Sequence, residues 1–179
     1  MAIYLNPGYK KFQQAIDSEI YVDKTEMIDY LNSIVDTEQR YVSVSRPRRF
    51  GKSIAANMLC AYYGKGDSRE IFEKKKIAEH ENWDRYLNEF DVIRIVMTRF
   101  VKRNVTVQDA LTKMQINVCR DICKQYPEVD YLDKTDILQT MEDVYAETGA
   151  RCRAEIRKDC GDGIRSDKEQ ELSTEVSTL

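Results

Sequence analysis

The sequence predicts an α/β fold, rich in helix and short of strands. Three observations carry that prediction. A β-rich run, Tyr41–Ser45 (YVSVS), leads through a basic turn straight into a helical stretch from Ser53. A second apolar run, residues 91–97 (DVIRIVM), reads as a strand buried on both faces. Around these two runs the apolar residues recur at helical spacing.

Taken in order, residues 10–18 and 24–35 read as helices. The second carries Met27, Ile28, Leu31, Ile34 and Val35 on one face, with Asp23 or Thr25 placed to cap its start. Residues 53–63 form the next, with Ile54, Met58 and Leu59 on one face and Ala55, Ala56 and Ala61 as helix formers. Gly64 and Gly66 end it. Short helical pieces are expected near residues 71–72 and 83–90. Residues 105–125 make a long amphipathic helix whose stripe is Val107, Leu111, Met114, Ile116, Val118 and Ile122, and Pro127 stops it. A last helix spans 134–147 and ends before Gly149. Residues 150–179 alternate charges with small polar residues and read as a charged, mostly disordered tail, with at most a frayed helix near Cys152–Lys158. The organisation expected is thus a folded part over residues 1–149 and a tail over 150–179.

The chain has 179 residues, enough for one globular domain. Hydrophobic residues are 42% and charged residues 33%, which is a soluble composition with a heavily charged surface. The net charge of −3 gives no bulk attraction to nucleic acid, although a local basic patch would still provide one. No run approaches the roughly 20 apolar residues that span a bilayer, so no membrane partner is expected. The N-terminal MAIYLNPGYKKF lacks a signal-peptide layout, and the five cysteines form no framework. A cytoplasmic protein is expected. Cys119 and Cys123 stand four apart on a helix, but His80 is the only histidine and no second cluster completes a metal site.

The chemistry lies in SRPRRFGKSIAA. A phosphate-binding P-loop reads G-x-x-x-x-G-K-[ST] between a strand and a helix. Gly51, Lys52 and Ser53 match its second half, and Arg46 stands at its first glycine. Each residue type has its own reason. Gly51 lets backbone N–H groups approach phosphate oxygens, and the helix start aims free N–H groups and a positive dipole end at an anion. Lys52 would reach the β- and γ-phosphates, and the Ser53 hydroxyl would ligate Mg²⁺. Arg46, Arg48 and Arg49 suit phosphate oxygens, a nucleic-acid backbone, or plain solvated charge. The candidate binding residues are therefore Arg46, Pro47, Arg48, Arg49, Phe50, Gly51, Lys52 and Ser53, the ligand a nucleoside triphosphate with Mg²⁺ (ATP, as the resemblance below implies), and no catalytic residue is assigned.

YVDKTEMIDYL (21–31), SRPRRFGKS (45–53) and FDVIRIVM (90–97) together resemble the predicted AAA-ATPase-like family. In that family a V-D-K-T segment precedes an R-P-R-R-F-G-K-[ST] loop, so arginine at position 46 is the family's habit. The resemblance covers residues 6–149. It implies a P-loop NTPase-like three-layer αβα fold and a Mg²⁺-dependent ATPase role. Asp23 and Lys24 fall in the V-D-K-T match; Asp23 suits helix capping, with nucleotide contact as the alternative.

The resemblance also exposes a departure. Proteins of this kind carry an apolar strand ending in D-E soon after the segment matching EDVYAETG (142–149), and its acid serves the metal and the attacking water. Here the chain reads ARCRAEIRKDCGDG. Asp159 and Asp162 sit in a loop-like context and are not assigned as that acid. The expectation is the N-terminal portion of the fold with an incomplete parallel sheet. It would be a truncated version of a longer ATPase whose tail is unrelated sequence, such as a shifted reading frame would produce. Hydrolysis is then doubtful. Two other readings compete: a non-catalytic fragment that docks on a protein or on itself through exposed strand edges, and a nucleic-acid-binding module using Arg46, Arg48, Arg49, Lys102 and Arg103. His80, Trp83, Glu142 and Asp143 read as surface or packing residues.

Overall fold

The computed structural model describes residues 3–45, 47, 49–100 and 105–157, the last three through their backbone alone. Six α-helices and two strands follow one another: α1 (Lys10–Ile16), α2 (Glu26–Ile34), α3 (Lys52–Tyr63), α4 (Arg69–Phe72), β1 (Asp91–Val96), α5 (Val107–Gln125), α6 (Ile137–Thr148) and β2 (Cys152–Arg157). The fold is thus helix-rich with a small, two-stranded parallel sheet, an incomplete α/β domain of the P-loop kind as the sequence predicts. By its contacts the chain divides into two compact units, residues 6–92 and residues 1–5 with those from 93 onward.

The first unit is held by an aromatic core. Phe12 stacks on Phe72 at 5.5 Å between ring centroids, Tyr62 meets Phe72 edge-on at 5.3 Å, and Tyr63 meets Phe90 at 5.7 Å. Edge-on and offset contacts of this kind suit the ring quadrupoles. Ile28, Leu31 and Ile34 of α2 and Met58 of α3 pack into the same core. The polar ends of the rings are satisfied: Tyr63 donates to Asn32 Oδ1 at 2.8 Å, and Tyr62, which accepts from Asn32 Nδ2, donates to the Trp83 carbonyl.

The C-terminal end of α3 is anchored several times over. Asn88 Nδ2 donates to the Gly64 carbonyl at 2.7 Å, Ser68 Oγ donates to the Ala61 carbonyl at 2.7 Å, and Gly64 bridges to Phe90. These partners take up carbonyls that a helix end leaves open. Asp91 is fully buried beside Lys65 Nζ at 2.8 Å and accepts from Asn6 Nδ2 at 2.6 Å.

In the second unit α5 and α6 pack together around Met114, Val118, Cys119, Ile122, Ile137 and Val144, with Ile93 and Ile95 of β1. Thr106 caps α5 by accepting from Asp109 N, and Asp136 caps α6 by accepting from Leu138 N and Gln139 N. Buried Asp121 accepts from the backbone N–H groups of Ile3 and Tyr4 at 2.7 and 2.8 Å and so ties down the start of the chain.

Four expectations are corrected. Tyr41–Ser45 is not a strand: among the described residues it makes no ladder, and Tyr41, Val42 and Val44 are 79%, 42% and 50% exposed. Its β-branched residues favour a pleated, half-buried surface, but among the described residues no strand pairs with it to supply one. Cys152–Arg157, expected to be tail or frayed helix, is a strand paired with β1. No apolar run marks it, and Ala154 is exposed while Arg153 is half-buried, so the ladder with β1 rather than an apolar face defines the strand. Residues 83–90 form turns instead of a helix, with left-handed asparagines at 82 and 88. Ile116 is exposed, because its position two residues from both Met114 and Val118 turns it away from their stripe. Residues 158–179, with Asp159 and Asp162, lie outside the described residues.

Candidate phosphate-binding loop

The loop ahead of α3 contains six described candidates: Pro47, Arg49, Phe50, Gly51, Lys52 and Ser53. Arg46 and Arg48 lie outside the described residues. Gly51 is the N-cap of α3 and is left-handed, with φ +79°. Arg49 is left-handed too, at φ +66°. A residue with a Cβ held there costs about 1 kcal/mol or more, so the loop stores strain that its surroundings must hold in place. Phe50, between them, is 59% exposed.

The helix begins at Lys52, one residue earlier than the periodicity indicates. Its first-turn N–H groups have no acceptor inside the helix, and the positive end of the dipole lies there. Lys52 Nζ folds back and donates to the Pro47 carbonyl at 3.1 Å. The Ser53 hydroxyl, one residue on, makes no hydrogen bond among the described residues. A helix start, an ammonium and a hydroxyl thus converge on one short loop.

The sequence does not forecast the partner of that loop. Lys24 Nζ donates to the Phe50 carbonyl at 3.1 Å, and a Cβ on Gly51 would stand 3.3 Å from the same ammonium. The residues flanking Lys24 point elsewhere. Asp23 Oδ1 accepts from Thr25 N and Thr25 Oγ1 at 2.9 and 2.8 Å, and its Oδ2 accepts from Lys76 N at 3.1 Å. Thr25 Oγ1 in turn accepts from Ile77 N at 3.1 Å. Burial pushes the Asp23 carboxyl up, but the bonds from Thr25 and Lys76 and the charge of Lys75 outweigh it, and its pKa lies below the ordinary value. Asp23 therefore closes a turn ahead of α2 and fastens it to the 3₁₀ turn at Lys76–Glu79, while Thr25, without a side-chain cap bond, is the N-cap.

The remaining candidates are structural. His80 Nδ1 stands 3.3 Å from Asp29 Oδ2 at the surface. Trp83 lies under the Arg69 guanidinium, and Asp143 accepts from Leu132 N and Gln139 Nε2. Burial pushes the Cys119 and Cys123 thiols up, which keeps them protonated. Among the described residues no group of three His, Cys, Asp or Glu could hold a metal ion. No helix among them is long and apolar enough to cross a membrane.

The strand paired with β1 is β2, and its described residues contain no Asp-Glu pair.

No curated protein and no solved structure matches the sequence. A family of predicted AAA-ATPases, the AAA-ATPase-like family, has a sequence model that matches residues 7–157, a span that takes in the V-D-K-T segment, the loop and both strands. The chain belongs to the AAA-ATPase-like family.

Proposed function

We propose that Arg46–Ser53 binds the triphosphate of Mg²⁺-ATP and that the chain is a nucleotide-binding module with little or no turnover. The observation that carries this reading is the Lys52 ammonium, held on the Pro47 carbonyl within a loop that opens α3 through a left-handed glycine. A phosphate oxygen is a stronger acceptor for that ammonium than a neutral carbonyl. In this reading the N–H groups of Gly51 and Lys52 cradle the β-phosphate, Lys52 neutralises the β- and γ-oxygens, and Arg46, Arg48 and Arg49 form a cationic rim. Magnesium fits the donor set, since Mg²⁺ keeps several waters and needs few protein ligands beside the phosphates. The Ser53 hydroxyl would be one of them. When bound, the ion would neutralise charge on the phosphates. Turnover further needs an acid at the end of the neighbouring strand, and residues 150–179 carry no Asp-Glu pair. We infer a cytoplasmic setting from the five scattered cysteines, which form no disulfide framework in the sequence.

The test is equilibrium binding of a fluorescent ATP analogue with Mg²⁺ to the wild type and to Lys52→Ala. Saturable binding, weakened about tenfold or more in the variant, is expected; that ratio corresponds to about 1.4 kcal/mol. No binding by the wild type would overturn the reading. It would favour the second, a protein-docking module, for which the exposed and unladdered Tyr41–Ser45 is the specific support.

A further inference from the structure

We propose that Lys24 is a positioning residue for the phosphate loop: by holding the Phe50 carbonyl it sets the direction of the Gly51 N–H. Its ligand consequences rest on the nucleotide-binding reading above. The argument begins with the peptide unit. In a planar trans peptide the carbonyl of one residue and the N–H of the next point in opposite directions. Lys24 Nζ takes the Phe50 carbonyl at 3.1 Å, so the Gly51 N–H is aimed away from Lys24. Without that bond the Phe50–Gly51 peptide could rotate, because Gly51 has no Cβ to restrict it.

Most surface lysines are too mobile for such a task. Here the base of the side chain is fixed on both sides. Asp23 binds Thr25 N and Lys76 N, and Thr25 Oγ1 accepts from Ile77 N. The side chain between them starts from this fixed backbone and reaches the loop. The ammonium also lies 3.3 Å from where a Cβ on Gly51 would stand, so it sits directly against the left-handed glycine. Lys24 therefore works from outside the loop, whereas Lys52 spans it from Ser53's side to Pro47.

The test uses the full chain, with Lys24→Met, Lys24→Gln and Lys24→Arg beside the wild type and Lys52→Met. The first readout needs no ligand: the ¹⁵N order parameter of the Gly51 amide. It is expected to fall from the rigid range near 0.85 to below about 0.6 in Lys24→Met and Lys24→Gln, and to be largely restored in Lys24→Arg. An unchanged order parameter in both neutral variants overturns the proposal. The second readout is binding of Mg²⁺-ATP and Mg²⁺-ADP. A positioning role weakens both by the same factor, about tenfold, because the Gly51 N–H serves a phosphate that both ligands carry. Weakening of ATP with ADP unaffected would make Lys24 a direct γ-phosphate ligand and overturn the positioning role. If Lys52→Met weakens binding while the Lys24 variants bind as the wild type does, this proposal fails and the nucleotide reading stands. If the wild type binds no nucleotide, the nucleotide reading fails and the order parameter alone decides the role of Lys24.

Discussion

Replacing Gly64 with alanine adds one methyl group and, by backbone preference alone, should do no harm. The residue sits at φ −68° and ψ 142°, a region open to any amino acid. Exchange of glycine for alanine at such a position stabilises by about 0.4–1 kcal/mol through the unfolded chain. The surroundings reverse the sign. A Cβ at Gly64 would stand 2.5 Å from the Cys60 carbonyl oxygen, where even a close carbon–oxygen contact is about 3.3 Å. The oxygen belongs to the α3 backbone, and Gly64 N donates to that same oxygen at 3.1 Å. Gly64 must move by most of an ångström. Its bridge to Phe90 and the bond from Lys65 N to the Phe90 carbonyl at 3.0 Å oppose the shift. Overpacking of this sort costs about 1–3 kcal/mol and a lost hydrogen bond about 1 kcal/mol. After the entropic gain, the net destabilisation is about 2 kcal/mol. Urea unfolding followed by the fluorescence of Trp83, the single tryptophan, measures it directly. In a thermal scan the midpoint should drop by about 4–8 °C for a chain of this size. A variant as stable as the wild type would show that α3 ends differently and that the multiple anchors described for its C-terminus are not formed.

Two further outcomes are expected. Asp23→Asn should be less stable than the wild type at neutral pH. Because the folded Asp23 carboxyl titrates below its ordinary value, its contribution is complete above about pH 4 and is lost as pH falls through the folded pKa. The gap between the two proteins should therefore close in acid, and a gap independent of pH would refute the assignment. Asp121→Ala removes the acceptor of two buried-side N–H groups and should cost the start of the chain about 2 kcal/mol. Amide exchange at Arg94, whose N–H donates to the Tyr4 carbonyl, should then lose roughly 30-fold in protection.

The helices were legible because their cause is local. The stripe Ile28, Leu31 and Ile34 and the stripe Leu111, Met114, Val118 and Ile122 are written at the period of the structure they form, and all seven residues are buried. The start of α3 was legible for a similar reason, since Gly51 marks the turn locally and the helix begins at the next residue. Strands were read less well. A ladder depends on a partner distant in sequence, so YVSVS, with the better β composition, stays unpaired, while CRAEIR pairs with β1. CRAEIR has no apolar stripe at either period, so nothing local marks it as a strand. Lys24 was visible only as a member of V-D-K-T. Nothing in that string says that its middle lysine reaches a carbonyl 26 residues away, because the reach depends on Asp23 and Thr25 being fastened to Lys76 and Ile77.

The tripeptide Asp23-Lys24-Thr25 has a parity. Its outer members accept hydrogen bonds from one segment and its middle member donates to another. A one-residue shift that moved Asp23 into the place of Lys24 would set a carboxylate against the Phe50 carbonyl and an ammonium against the amide of Ile77. Both contacts would turn repulsive at once. The segment is therefore sensitive to a change of length as well as to single replacements, and a protein engineer grafting this loop onto another scaffold would have to carry all three residues and both of their docking surfaces together.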